Sequence, residues 1–150
     1  MNTDYDTKTL NALIETVIDS ADGYTAAAKA AEGSQFTPIF NRRGEERRRL
    51  TLQLQDEVRS LGGTPEDDGT LLAGAHRMFL NLRNSMSSDD VTIIDQVEAG
   101  EDHIKHKFED ALADREVSQP VQLVIEQAYA LIKEGHDEIR DLKHSLHSQR

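Results

Sequence analysis

At 150 residues, 37% hydrophobic and 30% charged, the chain has the size and balance of one globular domain with a core of its own. It contains no cysteine, which excludes disulfide scaffolds, thiolate zinc sites, iron–sulfur clusters and cysteine nucleophiles. A net charge of −11, from 28 acidic and 17 basic residues, opposes binding to nucleic acid or anionic lipid.

Pro38, Pro65 and Pro120 are the only prolines, and the segments between them are rich in good helix formers. No segment alternates apolar and polar residues as a strand would. The first helix is expected over residues 7–31, where Leu10, Leu13, Ile14, Val17, Ala21, Tyr24 and Ala28 recur at three and four. Gly33 and Ser34 end it. The second is expected over residues 37–61, with Thr37 as cap and Pro38 in the first turn. Its stripe is Phe36, Phe40, Arg43, Arg47, Leu50, Leu54, Val58 and Leu61, so two arginines interrupt an apolar face. A shorter helix is predicted over residues 70–86. A third long helix is predicted over residues 89–114, capped from the Ser87-Ser88-Asp89-Asp90 stretch. Its stripe of Ile94, Val97, Glu101, Ile104, Phe108 and Leu112 places a glutamate at the centre. The last is predicted over residues 119–144, with Val121, Val124, Ile125, Ala128, Ile132, Ile139, Leu142 and Leu146 inward, Gly135 mid-stripe and His136 on its edge.

Four long amphipathic helices predict a single-domain, all-α four-helix bundle over residues 1–150. The long second connection, carrying the short extra helix, would leave helices two and three parallel, as in the ferritin-like topology. The residues themselves resemble that superfamily. Leu10-Asn11 followed by Tyr24 resembles the first helix of bacterioferritin, and Leu61-Gly62-Gly63-Thr64-Pro65 resembles the turn after its second. Lys133-Glu134-Gly135-His136 is similar to the Glu-Glu-Gly-His of its last helix. With the Glu98-Ala99-Gly100-Glu101-Asp102 stretch, the whole chain looks closest to a bacterial family of ferritin-like bundles with no assigned function.

The resemblance implies a di-iron site with six ligands, and the positions that would supply them are altered. Val17 falls where the first-helix glutamate would stand, and Arg47 and Leu50 replace the second-helix Glu-x-x-His. Glu98 or Glu101 retains a third-helix carboxylate, and Lys133 and His136 replace the last Glu-x-x-His. The resemblance therefore implies the fold with a degenerate site, no cofactor and no ferroxidase activity.

The residues singled out are the core polar cluster Arg43, Arg47, Glu98 and Glu101. Three arrangements fit it: arginine stems along the core with their heads in water, a buried ion pair in the space of the lost metal site, or an anion pocket on the arginines. No metal is expected. The alternative is a remodelled metal site from Glu98, Glu101 and His136, or from the i, i+3 pair His103 and His106, which the helical wheel turns away from the stripe. His144 and His147 are read as favourable charge at a helix end. The arginines at 42, 43 and 47–49 have no interleaved aromatics, which is a poor nucleic-acid patch. No phosphate loop, dinucleotide fingerprint or nucleophile motif occurs. With no apolar run of about 18 residues and an acidic, polar start, MNTDYDTKTL, the expectation is a cytoplasmic, non-enzymatic protein without membrane contact. It would act by self-association, for instance as a dimer, or through a protein partner.

Overall fold

Four long helices account for most of the residues that the computed structural model describes, 3–69 and 89–148. They are α1 (Thr3–Ala30), α2 (Thr37–Ser60), α3 (Asp90–Ala113) and α4 (Gln119–Ser148). No strand occurs among the described residues, so the protein is an all-α four-helix bundle. The short helix expected over residues 70–86 lies outside the described residues. No helix among them is long and apolar enough to cross a membrane.

Contacts between the helix ends fix the directions. Tyr5, near the start of α1, donates its hydroxyl to Asp114 just past the end of α3. At the other end Ser34 Oγ donates to Asp90 at the start of α3, at 2.9 Å. So α1 and α3 run antiparallel. Short connections make α1 antiparallel to α2 and α3 antiparallel to α4, which leaves α2 and α3 parallel, as the long second connection predicts. After α2 the chain turns at Gly62, whose φ of 83° suits glycine, and runs back along α1. Gly63 sits against Thr7, Glu66 N–H donates to Asn11 Oδ1 at 2.9 Å, and Gly69 reaches Ile18 and Asp19.

The predicted stripes are the buried faces. Leu10, Ile14, Val17, Phe108, Ile125, Ile132 and Ile139 are fully enclosed, which is the hydrophobic driving force of the fold. Two boundaries differ from expectation. Phe36, not Thr37, is the N-cap of α2 and gives no side-chain cap. Thr37 Oγ1 instead donates to Ala31 O at 2.6 Å, tying α2 to the end of α1. Helix α4 extends past residue 144 to Ser148 because its last turns are held. Leu142 and Leu146 pack on the core, and His147 Nε2 meets Asp95 Oδ1 at 2.9 Å.

The apolar core is in two parts. One gathers Leu10–Val17 of α1, Leu50–Val58 of α2, Ile104–Ala111 of α3 and Val121–Ile132 of α4. The other gathers Tyr24–Ala31, Phe36, Phe40, Ile93–Val97 and Ile139. Between them, at one level of all four helices, lie Ser20, Arg43, Arg47, Glu101, Gly135 and His136.

Candidate functional site: a polar layer between two apolar cores

Arg47 is the largest fully buried side chain and lies at the centre of this layer. Its guanidinium clasps the Glu101 carboxylate in a two-pronged pair, Nη1 to Oε1 at 2.9 Å and Nη2 to Oε2 at 2.8 Å. The side chains are 0% and 2% exposed. Nη1 also donates to Ser20 Oγ at 2.8 Å, and the guanidinium carbon lies 5.6 Å from the centre of the Tyr24 ring. This is a charge-assisted fork combined with a cation–π contact. Burial alone would push the Arg47 pKa down; the Glu101 charge and hydrogen bond, with Tyr24 and Glu46, together outweigh this and leave it raised.

The fourth helix contributes by having no side chain. A Cβ at Gly135 would collide with Arg47 Nη2 and stand 3.1 Å from Glu101 Oε2. Among the described residues, two buried side-chain polar atoms, Tyr24 Oη and Arg47 Nε, have no hydrogen-bond partner. The Tyr24 hydroxyl is near enough to Glu101 to feel its charge. Burial first, then that charge, drive the tyrosine pKa well up.

Arg43 is buried too, but it faces α4 rather than Glu101. Its Nε donates to Glu138 Oε1 at 2.8 Å and its Nη1 to Glu46 Oε1 at 3.1 Å, while Nη2 stands 3.8 Å from Glu134. Arg42 donates to both oxygens of Glu138. Burial would raise the Glu138 carboxyl, yet the two arginines hold it below its usual range.

Glu98 does not reach Arg47. It pairs with Lys143 Nζ at 3.3 Å and lies with Asp102 and His136 on the α3–α4 seam. His136 is 6% exposed, with Nε2 at 2.7 Å from Asp102 Oδ1 and Nδ1 at 3.1 Å from Asp137 Oδ1. The His136 contact, then Lys133, pull the Asp137 carboxyl down to about 2. Among the described residues, Glu98, Asp102 and His136 are the one group of three whose ligand atoms lie close together, all within 4.8 Å. Glu101 is committed to Arg47. His103 and His106 are exposed and belong to no such group; His106 stands 3.6 Å from Glu109.

At the positions carried over from the ferritin-like pattern, Val17 and Leu50 are buried in the first apolar cluster. Lys133 is 54% exposed and pairs with Asp137 at 3.1 Å, so it stands outside the bundle rather than in the place of an inward ligand. Sequence reasoning did not single out Ser20, Asp102, Glu138 or the wholly buried Asp6. Asp6 accepts from Ser118 N–H at 2.9 Å and Ser118 Oγ at 2.6 Å. Ser118 before Gln119-Pro120 is a recognisable helix start; its carboxylate partner, far away in the chain, carries no local signal.

The sequence model of a domain of unknown function, DUF2383, matches residues 6–114. The chain belongs to that family. The stretch typical of a DUF2383 domain thus contains Ser20, Tyr24, Arg47 and Glu101, while Gly135, His136 and Glu138 come from α4 beyond it. No curated protein matches the chain. Chemically, the centre of this DUF2383 bundle is a closed ion pair: the guanidinium offers no lone pair to a metal, and both carboxylate oxygens are taken.

Proposed function

We propose that this DUF2383 protein is a non-enzymatic, ferritin-like bundle that acts through its surface, by self-association or by binding a protein partner. In this reading an ion pair has taken the place of a di-iron site. The observation that carries it is the buried, two-pronged Arg47–Glu101 pair in the polar layer. A ferritin-like oxidase needs carboxylates and histidines from all four helices converging there. Here a permanent cation holds the one central carboxylate, Val17 and Leu50 have no ligand atom, and Gly135 makes room for the guanidinium. The parallel course of α2 and α3 supports the ferritin-like assignment.

Two measurements test it. Aerobic Fe(II) oxidation followed by absorbance should match the buffer control; saturable oxidation at about two irons per chain would overturn the reading. Sedimentation velocity over a wide concentration range should show a reversible dimer or larger species. A chain that stays monomeric throughout and turns over iron would be an enzyme, not a module.

A further inference from the structure

The geometry points to a mononuclear site for a borderline divalent cation of the zinc class, formed by Glu98, Asp102 and His136 on the α3–α4 seam. It shares the polar layer with the ion-paired centre but uses neither Arg47 nor Glu101, and it does not rest on the surface-module reading. Glu98 and Asp102 are one turn apart on α3 and so share a face. His136 approaches the same face from α4, and the three ligand atoms already lie within 4.8 Å of one another. Ligands of a tetrahedral ion at about 2.0–2.1 Å stand roughly 3.3–3.4 Å apart, so modest rotations of the two carboxylates would close the site.

The imidazole is already set for such a role. It is buried, and its Nδ1 is directed at Asp137 Oδ1, 3.1 Å away. A carboxylate on the far nitrogen is the arrangement that orients a metal-bound histidine and fixes its tautomer. Its Nε2 faces Asp102 Oδ1 at 2.7 Å. Two acceptor-only carboxylates flank one ring, so both contacts are hydrogen bonds only when both nitrogens carry protons. A cation at the seam would replace the proton between Nε2 and Asp102, binding the lone pair on one side and the carboxylate on the other.

Glu98 already holds a cation, since the Lys143 ammonium stands 3.3 Å from its Oε2. Lys143 is one-third exposed on a flexible stem and can swing into water. One imidazole and two carboxylates, with no thiolate, suit a borderline ion better than Cu(I) or a purely oxygen-seeking ion. Three protein ligands leave a fourth tetrahedral position for solvent, which the half-exposed Asp102 makes reachable.

The test is isothermal titration of the full, untagged chain with Zn2+, with circular dichroism confirming that each variant is folded. The expected result is saturable binding of one ion per chain. His136→Asn and Asp102→Asn should each weaken it by about tenfold or more, and Asp137→Asn by about tenfold. Lys143→Met should tighten it by removing the competing cation, and His103→Ala with His106→Ala should leave it unchanged. Lys143→Met replaces no ligand residue, so it decides the matter if His136→Asn fails to fold. Absence of one-to-one binding, indifference to His136→Asn and Asp102→Asn in folded protein, no tightening in Lys143→Met, or loss through His103→Ala with His106→Ala would overturn the assignment. A negative zinc result leaves the closed Arg47–Glu101 centre as it is, and iron oxidation would count against that reading without touching this one.

Discussion

Removing either half of the Arg47–Glu101 pair should cost far more than removing both. Glu101→Gln preserves shape and deletes one charge, leaving a guanidinium that is 0% exposed with the Ser20 hydroxyl and the Tyr24 ring as its remaining support. Arginine cannot discharge, so the loss should be about 3–5 kcal/mol. Arg47→Met strands a carboxylate that is 2% exposed. Glu101 can escape by taking up a proton, which places this loss towards the lower end of the same range. The double change leaves a buried amide beside a thioether and should cost only about 1–3 kcal/mol. The coupling between the two positions should therefore be about 3 kcal/mol or more. Against a total stability of about 5–15 kcal/mol, such changes are easily read from urea unfolding followed by circular dichroism. Glu98→Gln is the internal control: Glu98 pairs with Lys143, so it should add to Arg47→Met within about 0.5 kcal/mol. If both single changes cost under about 1 kcal/mol and the cycle closes without coupling, the arginine behaves as an exposed pair and the reasoning fails.

Gly135→Ala should destabilise by about 1–3 kcal/mol, because its methyl meets a guanidinium tip that Glu101 pins in place. In an Arg47→Met background that cost should shrink or become a gain of about 1 kcal/mol from helix propensity; an equal cost in both backgrounds would contradict the packing argument. Asp6→Ala should cost about 2–4 kcal/mol in urea unfolding, since a buried carboxylate loses two bonds that hold the start of α4, and a loss under about 0.5 kcal/mol would show the contact to be idle. All three tyrosines should titrate above their ordinary value of 10.0. Hydrogen bonds to Asp114 and Glu109 raise Tyr5 and Tyr129 to about 12, and burial raises Tyr24 well above its ordinary value. Their native pKa values lie above the unfolded ones, so this stabilisation is complete below about pH 10 and is lost as pH rises towards 12. Tyrosinate absorbance of native protein should lag that of urea-unfolded protein, and coincident titrations would refute it.

The stripes made the bundle legible. Arg47 and Glu101 each occupy a three-and-four position between apolar neighbours, so the sequence alone turns both inward. Whether a long arginine reaches across the bundle or snorkels out depends on what faces it, and only the packing of α1 against both α2 and α3, which sets Arg47 across the bundle from Glu101, decides it. Arg43 shows the limit. It shares the stripe of Arg47, yet a small rotation aims it at Glu138 on another helix. At Lys133 the Glu-x-x-His resemblance and the stripe disagree, and the stripe is right. Lys133 is one residue past Ile132, about 100° around the helix from a buried position, which turns it to solvent. Asp102 is the converse case, a stripe-edge residue that the fold brings into a contact. It sits one residue past the inward Glu101, and only the packing of α4 shows that this edge faces His136. Asp6 and Ser118 were beyond reach, since their bond joins the first turn of one helix to the start of another across nearly the whole chain.

The two charges of the central pair belong to different helical hairpins: Arg47 to the α1–α2 unit and Glu101 to the α3–α4 unit. Each hairpin is built from contacts near in sequence and can form early, but alone it presents a charge on the face that must become dry. Neither half is desolvated cheaply until the other arrives. Burial of the two faces is therefore coupled, because each charge leaves water at low cost only with its partner in place. By joining the two hairpins through opposite charges, the polar layer ties the burial of one half of the bundle to that of the other.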